Sequence, residues 1–274
     1  MESDFAAAEG GGPSRAEEKG MLLALDVGNT NITVGVFEAE KLIEQWRMET
    51  SSRKTADEYG ILLTQMFAHA GIDFRRIDAV AVSSVVPPMQ LALRAMARRY
   101  FRSEPLFVGP GVRTGMPVLY DNPAEVGADR VVNAVAAYER HPCSLIIVDF
   151  GTATTFDAVS ARGEYLGGSI CPGISISMDA LFVSASRLPR VEFKRPDRVV
   201  GRNTVASMQS GLVFGYVGLV DGVCARMSAE MGGHPKVIAT GGLATLIAEE
   251  SQAISEVDEC LTLDGLRIIY ERNR

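Results

Sequence analysis

Beyond residue 20 the chain alternates short apolar runs with polar turns, and the period of each run predicts an element. Residues 22–27 form an apolar run that polar 28–31 interrupts. Residues 32–37 follow, with Val34 and Val36 two apart, and 42–48 completes a predicted three-stranded meander. Tyr59, Leu62, Leu63, Met66 and Phe67 then recur at helical spacing, which predicts a helix opening at Thr55 or Ala56 and stopping at Gly71. A buried strand over 79–83, a helix from the Pro87-Pro88 pair to Tyr100 and a short strand at 106–108 come next. A loop rich in Gly and Pro, 109–123, leads into a helix over 124–140. There the pattern restarts. The apolar run 144–148 ends in Asp149, and Asp149-Phe150-Gly151-Thr152 turns into a strand at 154–159, as Asp26-Val27-Gly28-Asn29-Thr30 turns into its own second strand. A strand at 165–170, helices at 174–185 and 204–231, a strand at 236–240, a short helix after Gly242 and a last strand and helix complete the pattern. The repetition predicts two related α/β halves, 21–140 and 141–274. Residues 1–20, rich in Ala, Gly and Glu and without apolar period, are expected to be a disordered leader or an expression remnant.

Composition narrows the classes. In 274 residues, 47% apolar and 22% charged content predicts a folded globular chain with room for two domains. A formal charge of −7 argues against a broad basic surface, and so against nucleic acid as a partner. No apolar run approaching the roughly 18–20 residues of a bilayer span is evident, and the N-terminus lacks the basic-then-apolar order of a signal peptide. A cytoplasmic protein without a membrane partner is expected. Cys143, Cys171, Cys224 and Cys260 stand far apart and read as core thiols rather than a zinc site. His69, His141 and His234 are equally scattered and are assigned no chemistry.

The candidate chemistry lies at strand ends. In Asp26-Val27-Gly28-Asn29-Thr30-Asn31 a carboxylate precedes a glycine and short hydroxyl and amide side chains. Such a turn suits hydrated Mg²⁺ and phosphate oxygens, although taken alone it also reads as a plain hairpin. The second copy, Asp149, Gly151, Thr152, Thr154 and Thr155, is hard to explain as an independent hairpin, and two such turns facing across a cleft can grip a nucleotide triphosphate. Ala239-Thr240-Gly241-Gly242-Leu243 adds paired glycines between a strand and a helix, where backbone can approach a base or ribose. GxxxxGK[ST], strand-linked GxGxxG, HRD, DFG and GxSxG are all absent, which disfavours the common nucleotide and hydrolase folds.

From Met21 onward the chain resembles the type III pantothenate kinases, within the actin, sugar-kinase and acetate-kinase superfamily. The resemblance is carried by Asp26 to Asn31, by Tyr120-Asp121-Asn122-Pro123 with Gly127-Ala128-Asp129-Arg130, and by Asp149 to Thr155. Pro172-Gly173, Gly201-Arg202-Asn203-Thr204 and Ala239 to Gly242 extend it. It implies two ribonuclease-H-like (actin-like ATPase) domains with an interdomain nucleotide cleft, and ATP-dependent phosphorylation of pantothenate, the first step toward coenzyme A. By the same resemblance, Asp26, Val27, Gly28, Asn29, Thr30, Asn31, Ile32, Thr33 and Thr152 bind ATP. Asp129 is the general base, and Tyr120, Gly127, Ala128, Asp129, Arg130 and Thr204 contact pantothenate, Thr204 from across a homodimer interface. Arg130 offers its fork to pantothenate's carboxylate or to the transferring phosphate. Asp149 matches a ligand of potassium or ammonium, and Asp26 is read as holding Mg²⁺ through water.

Two other functions fit the superfamily: another small-molecule kinase, and a regulator that keeps the fold without catalysis. The first is expected to carry larger inserted substrate domains, the second an added helix-turn-helix. Neither is visible. The helix over 204–231 interleaves Gly211, Gly215, Gly218 and Gly222 with Val and Leu, which permits close helix contact within the chain or between two copies.

Overall fold

A computed structural model of the chain describes residues 20–274; the leader expected over 1–20 lies, but for Gly20, outside the described residues. Two five-stranded sheets share one strand order. In the first, β1 (Met21–Val27), β2 (Asn31–Glu38) and β3 (Lys41–Glu49) form an antiparallel meander. Parallel strands β4 (Ile77–Ser84) and β5 (Leu106–Phe107) extend it on the other side, giving β3-β2-β1-β4-β5. In the second, β6 (Leu145–Phe150), β7 (Ala153–Val159) and β8 (Tyr165–Pro172) repeat the meander. β9 (Lys236–Gly241) and β10 (Glu256–Val257) repeat the parallel extension. Equivalent residues occupy equivalent rows: Asp26 pairs with Ser83 across β1 and β4, and Asp149 with Thr240 across β6 and β9.

Helices α1 (Ala56–His69) and α2 (Gln90–Phe101) cover the outer face of the first sheet. A capping box explains where α1 starts: Thr55 accepts from the Glu58 backbone while Glu58 reaches back to Thr55. On the second sheet the outer cover is α4 (Ile174–Ser184), α5 (Thr204–Met231) and α6 (Ala244–Ala248). Between the sheets lie α3 (Ala128–Arg140) and α7 (Leu261–Glu271), so α7, last in the chain, packs back against β1, β2 and β4. One core cluster therefore joins both halves: Leu22, Ala24, Ala79 and Ala81 from the first sheet, Leu145, Ile147 and Val159 from the second, and the two helices. The period of two in each strand decides which side chains enter it. In β1, Leu23, Leu25 and Val27 face outward to α1 and α2; Leu22, Ala24 and, by the same parity, Asp26 face inward. In β6, Leu145, Ile147 and Asp149 share the inward parity.

Several expectations need correction. α3 does not begin at 124. Pro123–Glu125 is a separate 3₁₀ turn capped by Asn122, and the α-helix starts after Gly127, which places Asp129 and Arg130 in its first turn. Of the cysteines only Cys224 is a core thiol; Cys143 is exposed, Cys171 and Cys260 half-buried. His141 pairs with Glu256 and lies beside Lys236, while His69 and His234 are exposed. By length and mean hydropathy alone α5 is long and apolar enough to cross a bilayer, although glycines and serines interrupt its apolar residues.

The closest approach of α3 and α7 is at Gly265, where an added Cβ would stand 2.3 Å from the Val132 carbonyl oxygen. On propensity alone, Gly→Ala inside a helix stabilises by about 1 kcal/mol. Here the clash reverses the sign, and Gly265→Ala is expected to cost about 1–3 kcal/mol. Thermal unfolding checks this, with a lower Tm as the expected result.

Candidate active site

At the end of β1 the Gly28 N–H donates to the Asn31 carbonyl (3.0 Å), closing a tight turn, and Thr50 Oγ1 donates to the Gly28 carbonyl (2.7 Å). At the end of β6 the Gly151 N–H donates to the Ala153 carbonyl (3.0 Å) in the same way. The turns meet: Thr30 Oγ1 and Thr152 Oγ1 are hydrogen-bonded at 2.8 Å, joining residues 122 apart in the chain. Asn29, Thr30, Asn31 and Thr152 are exposed there and Thr33 is half-buried. Val27 and Ile32 are fully buried in the outer core, so they can offer a ligand only their backbone. The third element closes the floor. Gly241 has φ +94°, and a Cβ on it would lie 2.7 Å from both Asp149 Oδ1 and the Phe150 carbonyl, so this position requires glycine. Arg47 of β3 reaches across beside Gly242.

Three carboxylates face this cleft. Burial raises the Asp26 carboxyl to about 8, with Asp129 and Asp149 adding repulsion. Burial likewise raises Asp149 to about 7, assisted by Asp129 and Asp157. Asp129 is raised by burial too, and is partly offset by the Arg130 N–H that donates to its Oδ1 at 2.8 Å. Asp149 is also aimed by a relay: Asn133 Nδ2 donates to Asp149 Oδ2 (3.0 Å), and Thr262 of α7 donates to Asn133 Oδ1 (2.7 Å).

One helical residue further, Arg130 is buried and ion-paired with Asp157, its Nε donating to Oδ1 at 2.7 Å. The Tyr165 hydroxyl donates to the same oxygen at 2.6 Å, and the Tyr165 ring packs against Tyr120 with centroids 6.4 Å apart. Gly127 caps α3 and Ala128 opens it, which sets Asp129 and Arg130 in the helix's first turn. The residues expected at the site are thus brought together, with one exception. Thr204 is the first residue of α5, which Asn203 caps, and it lines a separate surface cavity of about 630 Å³ with Leu181, Leu188 and Met208. Sequence reasoning passed over Asn133, Asp157, Tyr165 and Thr262. The available signal was a polar residue at an inward position of an otherwise apolar strand or helix.

Paired sheets of equal strand order, each ending a central strand in a carboxylate and a hydroxyl-bearing turn across one cleft, are the arrangement of the actin-like, sugar-kinase fold. Solved structures agree on the fold. A ROK hexokinase from Thermus thermophilus matches with TM-score 0.52 at 13% identity, covering 93% of this chain and all of that one. A Baf family transcriptional activator from Campylobacter jejuni matches with TM-score 0.60 at 18% identity, covering 92% and 98%. The type III pantothenate kinase family profile matches residues 22–226, and the chain belongs to that family. The Type III pantothenate kinase of Myxococcus xanthus (strain DK1622) is 69% identical over 253 residues, 92% of this chain and 99% of that protein. That of Anaeromyxobacter sp. (strain Fw109-5) is 68% identical over 254 residues, 93% and 100%.

Crowded carboxylates make a pH prediction. Asp26 and Asp149 bind protons more tightly when folded than when unfolded, where their value is near 3.8. Between that value and about 7–8 the folded state therefore holds more protons, so stability of the ligand-free protein falls as pH rises through this window. Asp26→Asn is expected to raise Tm at pH 8 by roughly 2–4 °C while losing activity, and to flatten the Tm–pH curve. A Tm equal to or below wild type at pH 8 contradicts the crowding.

Proposed function

We infer that this chain transfers the terminal phosphoryl group of ATP to the hydroxyl of pantothenate, giving 4'-phosphopantothenate, the first step of coenzyme A biosynthesis. The carrying observation is the Thr30–Thr152 contact. It fuses the two turns into one phosphate cradle beside Asp129, in a chain closely similar to type III pantothenate kinases. The cradle lies between the halves 21–140 and 141–274, with α7 returning to the first. Asn29, Thr30, Asn31, Thr33 and Thr152 donate to phosphate oxygens, and Val27, Gly28 and Ile32 contribute backbone. Gly127, Ala128 and Tyr120 wall the acceptor side. Asp129 takes the proton of the pantothenate hydroxyl as its oxygen forms a bond to the γ-phosphorus and the bond to ADP breaks. Its raised proton affinity suits that task.

The donors fit the expected cations. Asp26 and Asp149 offer hard oxygen ligands whose ionisation a neighbouring cation would favour. Asp26 would hold Mg²⁺ through water and Asp149 potassium or ammonium. When bound, these cations offset the polyphosphate charge. The free cysteines suit a reducing cytoplasm.

A homodimer completes the reading. Only 28% of the most apolar stretch of α5 is buried. Gly211, Gly215 and Gly218 are exposed with open space beside them, and Ile176, Val183, Val199 and Val205 add exposed apolar surface nearby. A second copy laid along this face would cover it and carry Thr204 to the partner's substrate.

The direct test is ATP consumption with and without pantothenate. Turnover is expected only with pantothenate, faster in potassium or ammonium than in sodium, and lower by about 10²-fold or more in Asp129→Asn. Equal turnover in that variant removes Asp129 as the base. For the dimer, Gly215→Leu is expected to give monomers by sedimentation together with a raised KM for pantothenate. Monomers with unchanged KM would show that the site is complete in one chain.

A further inference from the structure

Arg130 exposes 7% of its surface, and a guanidinium so deeply placed needs a counter-ion. Asp157, fully buried on β7, supplies it and is itself held by three donors: Arg130 Nε at 2.7 Å, the Tyr165 hydroxyl at 2.6 Å and Thr155 Oγ1 at 3.3 Å to its second oxygen. The pairing leaves one part of the fork over. Arg130 Nη2 lies 2.7 Å from Asp157 Oδ1 but off hydrogen-bond alignment, and has no other acceptor. Beside it β8 has no room for a side chain, since a Cβ at Gly168 would stand 2.9 Å from Nη2 and 1.7 Å from the Phe156 carbonyl oxygen. Gly167, at φ +129°, similarly lies against the Tyr120 ring. Buried donors are rarely left unmatched, so an acceptor that arrives with the substrate is the natural complement.

Of the two anionic groups in the reaction, the transferring phosphate is already met by the turns around Thr30 and Thr152. The surroundings of Arg130 are instead the aromatic faces of Tyr120 and Tyr165, with its guanidinium 5.9 Å from the Tyr165 ring centre. A small organic acid suits such a wall. We propose that Asp157 and Tyr165 are positioning residues for substrate selection: they lock one edge of the Arg130 fork so that its remaining N–H groups meet the carboxylate of pantothenate. This rests on the assignment of Arg130 to the pantothenate side of the cleft. Asp157 acts through Arg130 and touches no reacting atom. Tyr165 fixes Asp157 by its hydroxyl and Arg130 by its ring. A purely structural ion pair would hold the fold equally well but would not care which acid group the substrate carries.

The test compares kcat/KM for pantothenate with that for its neutral analogue, in which the carboxylate is replaced by a hydroxymethyl group. Wild type, Tyr165→Phe, Asp157→Glu and Arg130→Gln are measured with both, alongside Tm. Tyr165→Phe keeps the ring and removes one donor; Asp157→Glu keeps the charge and displaces it. Tyr165→Phe is expected to cut the preference for pantothenate about threefold to tenfold, through KM for pantothenate, and Asp157→Glu by more. Arg130→Gln is expected to abolish it. If Asp157→Glu does not fold, Tyr165→Phe decides alone. Equal losses on both substrates, or none, in Tyr165→Phe overturn the positioning role while leaving Arg130 assigned. A preference that survives Arg130→Gln overturns the assignment of Arg130 and the proposal with it.

Discussion

Carboxylates at Asp26, Asp129 and Asp149 converge on one half-buried cleft, and the burial of their charges, sharpened at Asp26 and Asp149 by neighbouring carboxylates, is the constraint that the rest of the molecule has to satisfy. Nothing in the free protein relieves it fully. The arrangement is sustained because the groups sit at the ends of rigid elements, β1, α3 and β6, whose other inward residues are locked in one continuous apolar core. That core includes a run of buried residues along α3 from Arg130 to Ala137, where small alanines let the helix pass between two sheets. The close approach of the carboxylates is thereby offset by apolar packing a few residues away.

Strand parity turns duplication into a site. Each central strand carries one carboxylate on the face that looks toward the other sheet, and each is paired in the same row with a hydroxyl residue of its parallel neighbour, Ser83 on β4 or Thr240 on β9. The halves then diverge. The elements between the sheets have no counterpart in that symmetry: α3 brings Asp129 and Arg130 to the cleft, while α7 brings Thr262 to brace Asn133. A symmetric pair of turns is thus combined with an asymmetric wall beside it.

Much of this was legible in the residues. The period-two runs, the two Asp-Gly-hydroxyl turns and the α5 range 204–231 match the structure because each depends on neighbours close in the chain. What was illegible depends on distance. Asp157 pairs with Arg130 across 27 residues and Asn133 with Thr262 across 129, and no local pattern announces such partners. The start of α3 was misplaced because Pro123 suits the first turn of either helix type, and only the Asn122 cap and the extended Val126 separate the two. Thiol burial was misjudged for a similar reason: composition predicts that cysteines tend inward, but only packing decides which do.

The cleft holds acids of two kinds, and the difference explains the division of labour. Asp157 is saturated by Arg130, Tyr165 and Thr155, so its charge is spent on fixing a cation in place. Asp26 and Asp129 accept little from the protein, and Asp149 accepts from a neutral amide. Burial raises the proton affinity of both kinds, but at Asp157 the Arg130 charge and the Tyr165 hydroxyl oppose it, whereas neighbouring carboxylates add to it at Asp26 and Asp149. The carboxylates thus divide by their partners: Asp157 is tied into the Arg130 pair, while Asp26, Asp129 and Asp149 line the cleft with few donors of their own.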